Sequence, residues 1–150
     1  MTLSEFRKRS NAFVANLPAT IEKIVNFNED LEKLNKDRLR RSELTDGKPI
    51  TNLFTNQSAL SPGYAAWKSQ FYPSSFGSGK INLLLTGDLD NNTDLIVRGK
   101  EYFIESTVPY MFKLNRKYGP KLMGIGINDR PKAYAITTPL LAKEYKSQVL

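Results

Sequence analysis

Apolar residues at Leu3, Phe6, Phe13, Val14 and Leu17 recur at helical spacing and predict an N-terminal helix. Thr2-Leu-Ser-Glu5 has the spacing of a capping box, with Met1 and Phe6 placed for a hydrophobic staple. Pro18 is expected to end or kink that helix. A second stripe, Ile21, Ile24, Val25, Leu31 and Leu34, predicts one long helix from about Ala19 to Leu44. Glu29–Lys33, Glu32–Lys36 and Asp37–Arg41 lie i,i+4 on its outer face, each with the acid first. Asp46-Gly47 marks its stop.

Residues 46–80 break the periodicity. Pro, Gly, Ser, Thr and Asn predominate there, which reads as a long loop with a short helix over Pro62–Gln70. This stretch nevertheless carries Phe54, Tyr64, Trp67, Phe71, Tyr72 and Phe76. A free linker has no use for so many aromatic rings, so the loop is expected to work against a partner.

Beyond it, Ile81–Leu85 reads as a short strand, and Leu95–Arg98 and Tyr102–Ser106 as a hairpin turning at Gly99-Lys100. Val108-Pro109 opens a helix that buries Tyr110, Met111, Leu114 and Tyr118 and stops at Gly119-Pro120. Ala133–Thr137 suggests another strand, and Thr138-Pro139 the cap and first residue of a last helix. The fold class expected is α+β, in one domain over 1–150. Its parts are a helical 1–45, a long assembly loop at 46–80, and a small antiparallel sheet with two short C-terminal helices in 81–150.

Composition narrows the chemistry. The 150 residues include no cysteine and no histidine, which excludes disulfides, His-ligated zinc and any Ser-His or Cys-His catalytic arrangement. No apolar run approaches the roughly 18 residues of a membrane span. MTLSEFRKRS has no apolar h-region, so no secretory signal is expected. The formal net charge is +7. Residues 94–150 hold ten basic and five acidic side chains, so most of the excess lies there. Lys113, Arg116, Lys117, Lys121, Arg130 and Lys132 form the candidate basic face, suited to an acidic protein surface or to nucleic acid.

Three suggestive motifs fail on spacing. Gly77-Ser-Gly-Lys80 has Ser74 where a phosphate loop needs glycine, and Ile81 where it needs Ser or Thr. Asp88, Asp90 and Asp94 lack the glycine and closing glutamate of a calcium loop and read as solvated turn residues. Glu101 and Glu105 share one strand face but have no cleft assigned to them. No enzyme activity, metal or cofactor is expected.

Five motifs then occur in a fixed order: Asp46-Gly-Lys-Pro-Ile50, Leu60-Ser-Pro-Gly-Tyr-Ala-Ala-Trp-Lys68, Leu83-Leu-Leu-Thr-Gly-Asp-Leu89, Thr107-Val-Pro-Tyr110 and Lys117-Tyr-Gly119. Together they resemble the head–tail joining and tail-completion proteins of tailed bacteriophages, also described as minor tail or virion morphogenesis proteins, in the form found in phages of gut Bacteroidetes. Asp90-Asn-Asn-Thr93 departs from that pattern, and 139–150 carries no motif of it.

The resemblance implies a structural virion protein of the neck or tail, assembled in the bacterial cytoplasm. It would be a twelve- or six-fold ring that joins the portal or its adaptor to adjacent tail ring proteins around the DNA channel. It implies no membrane partner. Tyr64, Trp67, Phe71, Tyr72 and Phe76 are then the expected subunit-interface residues, since aromatics dominate binding hot spots. The alternative is a small nucleic-acid-binding protein that uses the Lys113–Lys132 face.

Overall fold

The computed structural model describes residues 1–99 and 101–150. Its element order is α1 (Leu3–Ala15), α2 (Leu17–Val25), α3 (Glu29–Arg40), α4 (Pro62–Phe71), α5 (Pro73–Phe76), α6 (Asp88–Asn91), β1 (Thr93–Arg98), β2 (Glu101–Ser106), α7 (Met111–Tyr118) and α8 (Arg130–Val149). The fold is mixed helix and sheet, as the patterning implied, with helix predominant.

The capping box is formed: Glu5 N donates to Thr2 Oγ1 (3.2 Å) and Thr2 N donates to Glu5 Oε2 (2.6 Å). The apolar stripe of α1 is mostly open, however, and only Phe13 is buried. Phe13 meets Tyr145 of α8 edge-to-face, with centroids 5.2 Å apart. Pro18 sits in the first turn of α2, and the chain bends just before it, at Asn16.

The single helix expected over 19–44 is two. Phe27 takes a left-handed conformation (φ 53°) and interrupts it. The break lets the corner cap the free edge of β1. Phe27 N donates to Leu95 O (2.9 Å), Val97 N to Asn26 Oδ1 (3.2 Å), and Leu95 N to Glu32 Oε1 (3.0 Å). An unpaired edge next to the core would leave those polar groups without partners. Asn28 restarts the helix by accepting from Leu31 N (3.1 Å). Glu32 is therefore committed to the strand, not to Lys36. On the outer face Asp37 pairs with Lys33 and Arg40, while Arg41 turns to Glu43 and Asp129. The three predicted i,i+4 pairs are not formed.

Residues 42–81 are not one open loop but three pinched ones. Ile50 N donates to Ser42 O (2.8 Å) and closes the first. Asn52 N to Gln57 O (2.9 Å) closes the second. Leu60 N to Gly79 O (2.9 Å) and Ile81 N to Ser58 O (3.0 Å) close the third, which carries α4 and α5. Each closure satisfies backbone groups that a long loop would leave to solvent.

Ile81–Leu85 forms no strand. Leu83 is left-handed (φ 57°), and the Asn82 side chain binds Leu84 N (3.3 Å), so the extended run is interrupted. β1 and β2 pair antiparallel, with Leu95 opposite Ile104 and both buried. The expected Gly99-Lys100 turn includes Lys100, which lies outside the described residues. Tyr110 lies before α7 and is exposed, against expectation. The expected strand at 133–137 is helix, and so is Thr138-Pro139, because α8 begins eight residues earlier with Pro131 in its first turn. Pro139 is accepted within the helix at the loss of one backbone hydrogen bond. The C-terminal region thus holds one short helix and one of twenty residues.

Two apolar clusters make the core. Leu39, Ile50, Ile81, Leu89, Val108, Tyr118 and Leu122 form one. Leu31, Leu34, Leu95, Ile104 and Ile125 form the other, and Met123 packs against both. Between them α3 buries Arg38 completely. Its guanidinium donates to the carbonyls of Glu43, Leu122 and Gly124 and to Asn35 Oδ1 (2.8 Å). Burial pushes Arg38 down to about 10, opposed by the Asp129 carboxylate.

Candidate interaction surface

Helix α4 is built inside out. An amphipathic surface helix normally turns its apolar stripe inward. Here the buried side chain is Lys68, only 2% exposed, whereas Tyr64, Trp67 and Phe71 are 41%, 40% and 60% exposed. The spacing i, i+3, i+7 places those three rings on one face. Trp67 is the centre of the group. It stacks on Tyr64 at 5.5 Å and lies 6.0 Å from Phe71 and 5.3 Å from Tyr72. Offset and tilted contacts of this kind are the favoured ring geometries. Phe76 is half-buried on α5 and stands apart, over Gly79. Four of the five predicted interface aromatics therefore meet, and the fifth does not join them.

The opposite face of α4 rests on a polar network. Lys68 Nζ donates to Asn82 Oδ1 (2.7 Å), and Asn82 Nδ2 donates to Ser75 O (2.9 Å). Ser75 Oγ donates in turn to Leu85 O (3.2 Å). No carboxylate pairs with Lys68 among the described residues, and desolvation lowers its pKa from the usual lysine range.

The six predicted basic residues divide. Lys113, Arg116 and Lys117 share the exposed face of α7 beside Phe112, and Lys113 Nζ lies 5.9 Å from the centre of the Phe112 ring. Lys121 is instead bound to Asp46 (2.9 Å) and Lys132 to the buried Asp129 (3.4 Å). Arg130 lines a separate cleft with Asn115, Glu105 and Met123. Of the six, only the three on α7 thus share a continuous basic surface.

A cavity of about 520 Å³ joins the two surfaces. Tyr64 and Ser61 of the α4 region and Lys117 and Tyr118 of α7 line it, together with Asn52 and Ile81. The end of the aromatic stripe and the end of the basic helix open into the same space. Next to it, Leu53 N donates to Lys117 O (2.8 Å), and Leu53 and Phe54 are exposed. Sequence reading noted Phe112 among the aromatics interleaved with the basic group, but passed over Leu53 and the burial of Lys68. Neither has a local signal, because each depends on which way a pinched loop or helix faces.

Three of the five acidic candidates have structural partners. Asp88 accepts from Thr86 Oγ1 (2.8 Å), and Glu105 holds Arg98 bidentately (2.7 and 2.8 Å). Asp90 is buried against Arg40 (3.3 Å), not solvated as the turn reading implied. Among the described residues no three ligand-type side chains converge as a metal site would need, and no helix is long and apolar enough to cross a membrane. Comparison with family models, curated proteins and solved structures finds no match to this chain.

Proposed function

We propose that this chain is a structural virion protein: a subunit of a ring in the neck or tail of a tailed phage, between the portal and the tail, surrounding the DNA path. The observation that carries the reading is the inverted α4, which buries a lysine and leaves an indole and two further rings in water. Exposed aromatic surface of this kind is costly in a monomer and is the usual anchor of an interface. The ordered run of motifs from Asp46 to Gly119 supplies the phage assignment. The mechanism is assembly, with no bond made or broken.

The test is the assembly mass of the purified protein, alone and with portal complex, by light scattering and negative-stain imaging. Rings are expected, free or on the portal. A monomer indifferent to the portal overturns the reading.

The three cations of α7 beside the exposed Phe112 favour nucleic acid as the second reading. Binding through three phosphates would weaken with salt at a log–log slope of about −3. A salt-independent or absent DNA affinity removes it.

A further inference from the structure

The two edges of the hairpin are finished differently. The outward backbone groups of β1, at Leu95 and Val97, are taken by Phe27, Glu32 and Asn26. The register sets Leu95 opposite Ile104 and Val97 opposite Tyr102. Antiparallel pairs alternate between bonded and non-bonded, so Ile104 and Tyr102 also turn N–H and C=O away from their partner strand. Those groups meet no hydrogen-bond partner among the described residues. Ile104 is nevertheless only 6% exposed, and buried backbone groups are nearly always paired.

A cleft of about 600 Å³ runs along that edge. Its lining includes every residue from Tyr102 to Ser106. A cavity over a sheet face would touch alternate residues, so an unbroken run marks the edge itself. The far wall, Met123 to Ile125, does not close the ladder. Gly124 N donates to Asn35 Oδ1 (2.9 Å) and Gly124 O accepts from Arg38 Nε (3.3 Å), so that backbone is engaged on its inner side.

We propose that the cleft takes an extended acidic segment of another protein as a third strand beside β2. Hydrogen bonding selects the occupant. Donors and acceptors that repeat at every second residue of an edge are matched by another extended backbone, whereas a helix has its own groups bonded internally. Five residues of edge run about 14 Å, the reach of a segment of about five residues. Ile104, Ile125 and Met123 pack in one apolar cluster and also line the cleft, so alternate side chains of the segment would rest on apolar surface. Two charged side chains line it. Glu105 is held by Arg98 (2.7 Å), and Arg130 has no carboxylate partner among the described residues, which leaves one cation for the segment to match. A second copy of this chain has no strand to insert, because β1 is covered on its outer edge and β2 lies behind the 123–125 wall. The inference goes beyond the ring reading and does not depend on it: the cleft and the aromatic stripe share no residue.

The probe is a fluorescently labelled, end-blocked peptide of about six residues alternating glutamate and valine, matched in length to the edge. Polarisation reads its affinity, and hydrogen exchange reads its place. Protection is expected over residues 101–106. Two N-methylated forms, one methylated on the valine amides and one on the glutamate amides, separate strand addition from side-chain adhesion, because a strand pairs through one alternate set only. One form is expected to bind at least about tenfold more weakly, and the other about as well as the parent peptide. Tyr102→Pro removes an outward N–H and leaves the β1 ladder its bonds, so it should weaken binding about tenfold too. The methylated peptides test the same pairing from the other side should that variant disturb the hairpin. Arg130→Gln should weaken binding about threefold. Equal effects of the two methylated forms would overturn the inference, as would no binding at about 1 mM peptide. Full affinity in Arg130→Gln, or in a folded Tyr102→Pro, would do the same. Protection of 101–106 in the chain alone that is lost on dilution would mean that β2 pairs with β2 of a second copy, and would also overturn it. None of these outcomes touches the ring reading, which the assembly mass decides.

Discussion

Two cations are buried among the described residues, and they are treated differently. Arg38 in α3 has three backbone carbonyls and the Asn35 amide oxygen around its guanidinium, with the Asp129 carboxylate close enough to support its charge. Lys68 in α4 has one amide oxygen and no carboxylate partner. The planar fork of arginine fits converging acceptors, while the ammonium of lysine has three donors and here uses one. Arg38 thus ties α3 to the 43–44 turn and the 122–124 segment, and it lies between the two apolar clusters. Lys68 merely seats a helix whose apolar side faces out. The first arrangement suits a body that folds once and stays folded. The second suits a surface completed by something outside the chain.

Removing the arginine should do the most damage. Arg38→Ala would leave several buried acceptors unpaired and a void where the stem packed. We expect a loss of about 4 kcal/mol. That is a large part of a total of about 5–15 kcal/mol, so chemical denaturation should show a midpoint far below that of the parent chain. A midpoint close to that of the parent chain would show that Arg38 is not the tie between the clusters.

Gly126→Ala probes the same hub from outside. Gly126 has an ordinary backbone (φ −65°), so strain is not the issue. A Cβ there would stand 2.7 Å from Arg38 Cδ, in the middle of the side chain, where it cannot swing away freely. We expect a cost of about 2 kcal/mol, read as a lower denaturant midpoint with an unchanged slope. An unaltered midpoint would mean that the hub is looser than its hydrogen bonds imply.

The hub and the arm were not equally visible in the sequence. Capping at Thr2, the helix starting at Pro62, the hairpin and the stop at Gly119 could all be read, because each is decided by residues a few positions apart. The break at Phe27 could not. The stripe through Ile24, Val25 and Leu31 continues across it, and what interrupts it is the edge of β1, nearly seventy residues away. Thr138-Pro139 misled for the opposite reason: a strong local start signal was overridden by Pro131, which had already begun the helix. The aromatic stripe was legible as a cluster of rings in polar sequence. Its inversion was not, since Lys68 gives no sign that it points inward. The basic face was half legible. Counting charges found six residues but could not see that Asp46 and Asp129 hold two of them.

Trp67→Ala should have a smaller effect on the monomer than either hub variant. The indole gives up contacts with Tyr64, Phe71 and Tyr72, but it is already 40% exposed. A stability loss of about 1 kcal/mol is expected, with helicity preserved in circular dichroism. Assembly, in contrast, should be lost. A collapse of helicity would make Trp67 a core residue and remove the contrast between body and arm.

The smallest effect should come from Lys68→Met, and its pH dependence is the informative part. Methionine nearly matches lysine in shape and removes a charge that burial disfavours, leaving Asn82 Oδ1 with the Leu84 amide at 3.3 Å. At neutral pH the two chains should differ by less than about 1 kcal/mol. Desolvation holds the folded-state pKa of Lys68 below its ordinary 10.5, so in alkaline solution the unfolded chain holds that proton more tightly than the folded one. Stability of the parent chain therefore rises with pH from the lowered value up to 10.5, as the buried amine becomes neutral. The methionine variant has no such gain, so its advantage should shrink or reverse over that window. Arg38 is common to both chains, so its own pH dependence cancels in the difference. A difference between Lys68→Met and the parent that ignores pH would mean the ammonium reaches water. A loss as large as that of Arg38→Ala would mean that the seat of α4 is as integral to the fold as the hub.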